Sequence, residues 1–262
     1  MIVAVLAVTL AACSSSSSTS STSGSTSSGG AQSSSSSALK GSITVDAAAS
    51  LTGAFNTLKA QFIQAHPGTS VTTMYAASSA LAAQITQGAP VDVFASAAPK
   101  NMDTVVKAGD ASSPVNFVSN SGQIAVPPSN PGKVTKLADL AKSNVKVGLC
   151  APAVPCGVVA RAAFAKARIK VTPKANFADV KTTLAAVESG NVDAGIVYIT
   201  DVKAAGPKVK GITIDPSVNA TTEYPIAALT HAKNPALAKA WVSFVQSPTG
   251  QQVLAQAGFA KP

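Results

Sequence analysis

From Ile43 onward, short apolar runs alternate with stretches whose apolar residues recur every three or four positions. That is the pattern of strand, helix, strand units that build a parallel sheet. Residues 43–47 read as a strand. Residues 51–66 place Leu51, Phe55, Leu58 and Phe62 on one helical face and stop at Pro67-Gly68, which predicts an amphipathic helix with its breaker. A second strand is predicted over 71–75, a second helix over 79–87 ended by Gly88, and a third strand over 91–95. A further helix follows over 99–109, with Pro99 at its first position. Ser50 and Ser78 fall at the starts of the first two helices.

After Asn116 a loop rich in Ser, Asn, Pro and Gly surrounds a strand at 123–126, and a crossover between lobes is expected near 119–122. The second lobe repeats the logic: helix 137–142, strand 145–149, helices 157–167 and 179–189, strand 194–198. A return crossover near 223–226 leads back to the first lobe. A helix after Pro235, with Trp241, Phe244 and Val245, and a last helix after Pro248 close it from outside. Two lobes also suit the arithmetic, because 262 residues with 46% hydrophobic content exceed what one ordinary domain needs. The expected limits are 40–120 and 226–262 for the first lobe and 121–225 for the second.

The front of the chain is different. Residues 1–12 are an apolar run, shorter than the roughly 20 residues of a membrane span, and read as a secretory signal segment. Leu10-Ala11-Ala12-Cys13 resembles a bacterial lipobox, which would leave Cys13 lipidated as the first mature residue and tie the protein to the membrane. No Lys or Arg precedes the apolar run. Positions 14–37 hold sixteen Ser, three Thr and three Gly, and 13–39 therefore reads as a lipidated Cys followed by a flexible tether. At about 5–6 Å × √n such a tether reaches roughly 25–30 Å.

Composition mainly excludes. Two histidines (His66, His231), two glutamates (Glu188, Glu223) and nine singly scattered aspartates argue against a zinc enzyme, a paired-Glu glycosidase or a calcium loop. The net charge of +9 comes from singly spaced Lys with only two Arg, and aromatics are 5%. No stacking platform for bases results, so nucleic acid is not an expected partner. No metal cofactor is expected.

The chemistry lies at the helix starts. An N-terminus presents unpaired N–H groups and about half a positive charge, so several converging from two lobes make an anion site. Ser50, Ser78, Cys156-Gly157 and Asp179-Val180 stand at such starts. Each alone is an ordinary cap.

Together they resemble the periplasmic molybdate-binding proteins of ABC importers. The resemblance covers about 41–262 and rests on Ala47-Ala48-Ala49-Ser50-Leu51-Thr52, Ala77-Ser78-Ser79-Ala80-Leu81-Ala82 with Gln84-Ile85, and Gly88-Ala89-Pro90-Val91-Asp92-Val93-Phe94-Ala95-Ser96-Ala97. It continues through Pro155-Cys156-Gly157, Asp179-Val180, Gly195-Ile196-Val197-Tyr198 with Asp201, and Glu223-Tyr224-Pro225-Ile226.

The resemblance implies a class II periplasmic-binding-protein-like α/β fold, in which each lobe is a mixed, mainly parallel sheet flanked by helices and the ligand cleft lies between lobes. It implies a tetrahedral oxyanion, molybdate or tungstate, held by neutral donors: hydroxyl and N–H of Ser50 and Ser78, the N–H groups of Cys156 and Val180, and the Tyr198 hydroxyl. A dianion with four acceptor oxygens and no proton suits such a donor-only site. It further implies a monomeric, extracytoplasmic, lipid-anchored protein that serves an ABC permease without itself being an enzyme. Cys156 stands where the family more often has a small residue such as Ala. Cys150 and Cys156, six positions apart, form either a short-loop disulfide or two thiols. Asp46 stands where an apolar aromatic is commoner in the family, and is expected to point away from the anion, toward a Lys.

Two other functions are weighed. One is the same fold binding another oxyanion, such as sulfate, phosphate or chromate. The other is a secreted serine hydrolase, for which no Gly-x-Ser-x-Gly elbow exists.

Overall fold

The computed structural model describes residues 39–262. The signal segment, Cys13 and nearly all of the tether lie outside the described residues. Chain order begins with β1 (Gly41–Ala48), α1 (Thr52–Ala65), β2 (Thr69–Ala76), α2 (Ser78–Thr86), β3 (Val93–Ala95) and α3 (Pro99–Lys107). The long strand β4 (Val115–Val126) follows, then β5 (Val147–Cys150), α4 (Pro155–Lys166), β6 (Ala175–Phe177), α5 (Val180–Glu188) and β7 (Ala194–Tyr198). The chain finishes with α6 (Ile199–Ala205), β8 (Lys210–Ile212), β9 (Thr221–Ala228), α7 (Pro235–Gln246) and α8 (Pro248–Ala257).

The strands form one continuous path, β2-β1-β3-β9-β4-β7-β5-β6, with β8 added to β4. Both ends are parallel: β1 with β2 and β3, and β5 with β6 and β7. These are the βαβ units that the alternating pattern predicts. The middle is antiparallel, because β4 and β9 run against each other and against their outer neighbours.

β4 pairs with β9 from Val115 to Ser121 and with β7 from Gly122 to Ala125, so the chain passes from one half of the sheet to the other at Ser121-Gly122. The strand expected at 123–126 is thus the last third of a longer one. Its polar first part is stabilised by pairing with a distant strand, which no local pattern announces. The register slips between Asn116 and Val118 opposite Pro225. A proline has no N–H to give to the ladder and is tolerated at such a bulge.

Apolar alternation assigns each face its cover. Val45, Ala47, Val93 and Ala95 join Phe55, Leu58 and Phe62 of α1 and Leu237, Trp241 and Val245 of α7 in one core, while Phe94 packs on the other face with Leu81, Ile85, Met102 and Val105 from α2 and α3. The periodic residues of 51–66 are the ones buried, but the helix itself begins at Thr52, after a 3-10 turn over Ala49–Leu51. The expected helix at 137–142 is a 3-10 helix over Leu137–Ala141. There the Asp139 carboxylate accepts from the N–H groups of Thr135 and Lys136 and closes the turn on itself. The pattern does not predict β6, α6, β8 or β9; the first three are too short to show a period, and β9 occupies the stretch read only as a return crossover near 223–226.

Trp241 is fully buried, with Phe55 and Phe62 ring centroids at 5.8 and 5.3 Å in edge-on arrangement. Trp241→Ala is expected to lower the free energy of unfolding by about 3–5 kcal/mol in urea titrations. A loss below about 1 kcal/mol would mean that α7 does not close this core.

Candidate functional site

Four helical segments start at one place. The 3-10 turn carrying Ser50 follows β1, α2 follows β2, α4 follows β5, and α5 follows β6. In each case a strand from the sheet ends at the cleft and its helix begins there, so the unpaired first-turn N–H groups face a common space. All five residues expected to bind ligand line it: Ser50, Ser78, Cys156, Val180 and Tyr198. The cavity volume is about 10 Å³, room for about one water-sized sphere, so the walls lie close together.

The walls are made of small residues. Ala48, Ala49, Ala76, Ala77 and Ala97 bring the backbone of one half close, and Val154, Pro155 and Cys156 do the same for the other. Ala49 and Ala77 share a buried cluster with Val154, Val180 and Tyr198, so the two walls meet.

Each donor is held by its own device. Ser78 is the first residue of α2, after an Ala77 cap that offers no side chain. Instead of capping its helix, its Oγ accepts the Ala97 N–H at 2.9 Å. That bond takes one of the oxygen's two lone pairs and leaves the hydroxyl proton able to donate. Ser50 Oγ lies 2.8 Å from the Tyr224 hydroxyl. The start of α4 is pinned to the end of β5 by the Cys150–Cys156 disulfide, with Cα atoms 5.7 Å apart.

Arg161 adds two bonds there, donating to the carbonyls of Cys150 and Gly157 at 3.2 and 3.1 Å. A Cβ on Gly157 would sit 2.1 Å from the Ala151 carbonyl oxygen, so only glycine allows this approach. At α5, Asp179 caps the helix by accepting the Thr182 N–H at 2.8 Å. Its carboxylate is thereby drawn into the cap although the residue borders the cleft.

Tyr198 ends β7 and is 1% exposed, and its hydroxyl has no hydrogen-bond partner among the described residues. Burial pushes the Tyr198 and Tyr224 hydroxyls well up from the usual phenol range, so both stay protonated. The buried Asp201 accepts the Tyr198 backbone N–H at 3.1 Å and faces Lys181 Nζ at 3.1 Å. Sequence reasoning assigned no role to Tyr224, Asn120 or the Ala97 N–H. Tyr224 was within reach, since it stands in the Glu223-Tyr224-Pro225-Ile226 motif, but its contact with Ser50 spans 174 positions.

Asp46 does not behave as expected in one respect. It is absent from the cleft lining, but no Lys pairs with it among the described residues. Strand alternation places it in register with Phe94, on the apolar face opposite Val45 and Ala47, where it is 1% exposed and its Oδ1 has no partner. Burial raises its carboxyl from 3.8 to about 6.

The family described as bacterial extracellular solute-binding protein matches residues 43–260. The molybdate-binding protein ModA of Mycobacterium tuberculosis is 40% identical over 222 residues, 84% of this chain and 85% of that one. A substrate-binding domain assigned to a molybdenum ABC transporter of Clostridium difficile superposes with a TM-score of 0.65 at 29% identity, covering 85% of this chain and all of that one. The periplasmic molybdate-binding protein of Azotobacter vinelandii shares the two-lobed fold, with a TM-score of 0.72 at 20% identity over 84% of this chain and 99% of that one.

A carboxyl raised by folding favours the fold below the unfolded value near 3.8, and this contribution is lost as pH rises through about 6. Asp46→Asn is therefore expected to stabilise the protein by about 1–3 kcal/mol at mildly alkaline pH. The gain should shrink toward zero near the unfolded pKa, as followed by urea unfolding across pH. A variant with no pH-dependent gain would show that Asp46 ionises as it does in the unfolded chain.

Proposed function

Because this chain belongs to the bacterial extracellular solute-binding proteins, we propose that it captures molybdate outside the cytoplasm and delivers it to an ABC permease. Tungstate, a tetrahedral dianion of nearly the same size, is the expected second ligand. The observation that carries this reading is the convergence of Ser50, Ser78, Cys156, Val180 and Tyr198 on one small cleft, together with the unpartnered Tyr198 hydroxyl. The similarity to mycobacterial ModA supports the choice of anion.

In this reading Ser50 and Ser78 each give a hydroxyl and an N–H, Cys156 and Val180 give N–H groups, and Tyr198 gives its O–H. Charge is held without an ion pair: hydrogen bonds to an ionised group are about twice as strong as neutral ones, and a cleft that excludes water keeps them so. A protonated anion would need an acceptor, and at the cleft Asp179 Oδ1 is drawn into its helix cap while Ser78 Oγ already accepts one bond. Tetrahedral dianions such as sulfate and chromate are then separated from molybdate by cavity size. A hydrolase is disfavoured because neither Ser50 nor Ser78 has a base beside it: their hydroxyls meet Tyr224 and a backbone N–H.

The lobes, 40–120 with 226–262 and 121–225, are proposed to open and close about β4 and β9. Lipidation at Cys13 and the 13–39 tether would keep this monomeric body beside the membrane that holds its permease.

Isothermal titration of the purified protein with molybdate, tungstate, sulfate and phosphate at matched pH and salt tests the reading. Tight one-to-one binding of the first two and far weaker binding of the others is the expected result. Ser50→Ala and Ser78→Ala should each cost about 1.5–3 kcal/mol of molybdate binding, and Tyr198→Phe the same or less. Absence of molybdate binding by the wild type would sink the reading. Wild-type affinity in all three variants would sink the residue assignment alone.

A further inference from the structure

Asp201 is fully buried, and a carboxylate taken out of water is costly unless a cation and hydrogen-bond donors meet it. As the third residue of α6 it accepts the Tyr198 N–H at Oδ2, at 3.1 Å. A helix cap of that kind works as well at the surface, so capping alone does not account for the burial. Its second oxygen makes the other contact. Oδ1 faces Lys181 Nζ at 3.1 Å, and Lys181 belongs to a different helix, α5.

Lys181 follows Val180, the first residue of α5, and Tyr198 is the last residue of β7. Through its two oxygens one carboxylate therefore holds the start of α5 and the end of β7, the two places from which Val180 and Tyr198 reach the cleft. The Tyr198 hydroxyl has no partner among the described residues, so Tyr198 is held by its ring against Tyr224, with centroids 6.1 Å apart, and by this backbone bond. Lys181 and Asp201 are themselves absent from the cleft lining.

We propose that Asp201 and Lys181 are positioning residues for the second wall of the cleft: their ion pair locks Val180 and Tyr198 at one fixed spacing, so that both donors reach a single bound oxyanion together. The proposal rests on the reading of the cleft as an oxyanion site, and adds to it the pair that aligns two of its donors.

The test is a double-mutant cycle of Lys181→Met and Asp201→Asn, with titration of molybdate at a temperature where every variant is folded. Methionine keeps much of the lysine stem without its charge, and asparagine keeps an oxygen for the Tyr198 N–H. Each single change is expected to weaken binding about three- to thirtyfold, and the double change no more than the worse single one, because the two groups act as a unit. Lys181→Arg, which restores the cation, should bind within about threefold of wild type. Wild-type affinity in both single variants overturns the proposal even if their thermal midpoints fall, since that is the result a purely structural pair would give. Tighter binding by Asp201→Asn also overturns it, because the carboxylate would then act on the anion only as a repelling charge.

A second measurement needs no ligand. In ¹⁵N-labelled protein, Asp201→Asn should shift the Val180 amide resonance and Lys181→Met should shift that of Tyr198, each on the element that was not changed. Shifts confined to the mutated element overturn the coupling, whatever the protein binds. If wild type fails to bind molybdate while the cross-element shifts appear, the oxyanion reading falls and the link between α5 and β7 stands.

Discussion

Hydrogen-bond donors without acceptors crowd the walls of the cleft, and much of the structure serves to hold that imbalance in place. A buried donor left unpaired costs about 1–3 kcal/mol. Here the Tyr198 hydroxyl is buried and unpaired, and the first-turn N–H groups of four helical segments face the same space. The side-chain oxygens there are held from behind: Ser78 Oγ accepts from Ala97, Ser50 Oγ bonds the Tyr224 hydroxyl, and Asp179 Oδ1 accepts within its own helix cap.

Holding such a site requires stiffness where the donors are. The disulfide, the Arg161 bonds to Cys150 and Gly157, and the bare Cα of Gly157 bind the β5 to α4 loop at several points. Alanines on the facing wall let backbone approach backbone, which larger side chains would prevent. β4 runs from one half of the sheet into the other and changes partner at Ser121-Gly122.

Electrostatics are handled by exclusion more than by pairing. The net charge of +9 is spread over surface lysines, and no lysine lines the cleft. Asp46 is buried on the α2 and α3 face of the sheet, and its raised carboxyl lowers its charge below about pH 6. A carboxylate so placed costs stability when it ionises.

Local pattern was enough for much of the fold. The periodic Leu, Phe and Ile positions marked α1 and α2, the apolar runs marked β1 and β7, and Gly88 and Pro99 marked their boundaries, because these signals are written within one turn or one strand. The ordered motifs also contain five of the residues that line the cleft. The sequence by itself thus determined the βαβ units, the helix starts and the types of donor they carry. Only the tertiary structure decided the rest: the full length of β4, whose polar half depends on pairing with β9 about a hundred residues away; the lack of a lysine beside Asp46; and the bonds of Ser78 to Ala97 and of Ser50 to Tyr224. The physical reason is common to all three. Hydrogen-bond direction and charge pairing depend on which groups meet in space, and those meetings span 19 and 174 positions for the two serines, far beyond the reach of helical or strand periodicity.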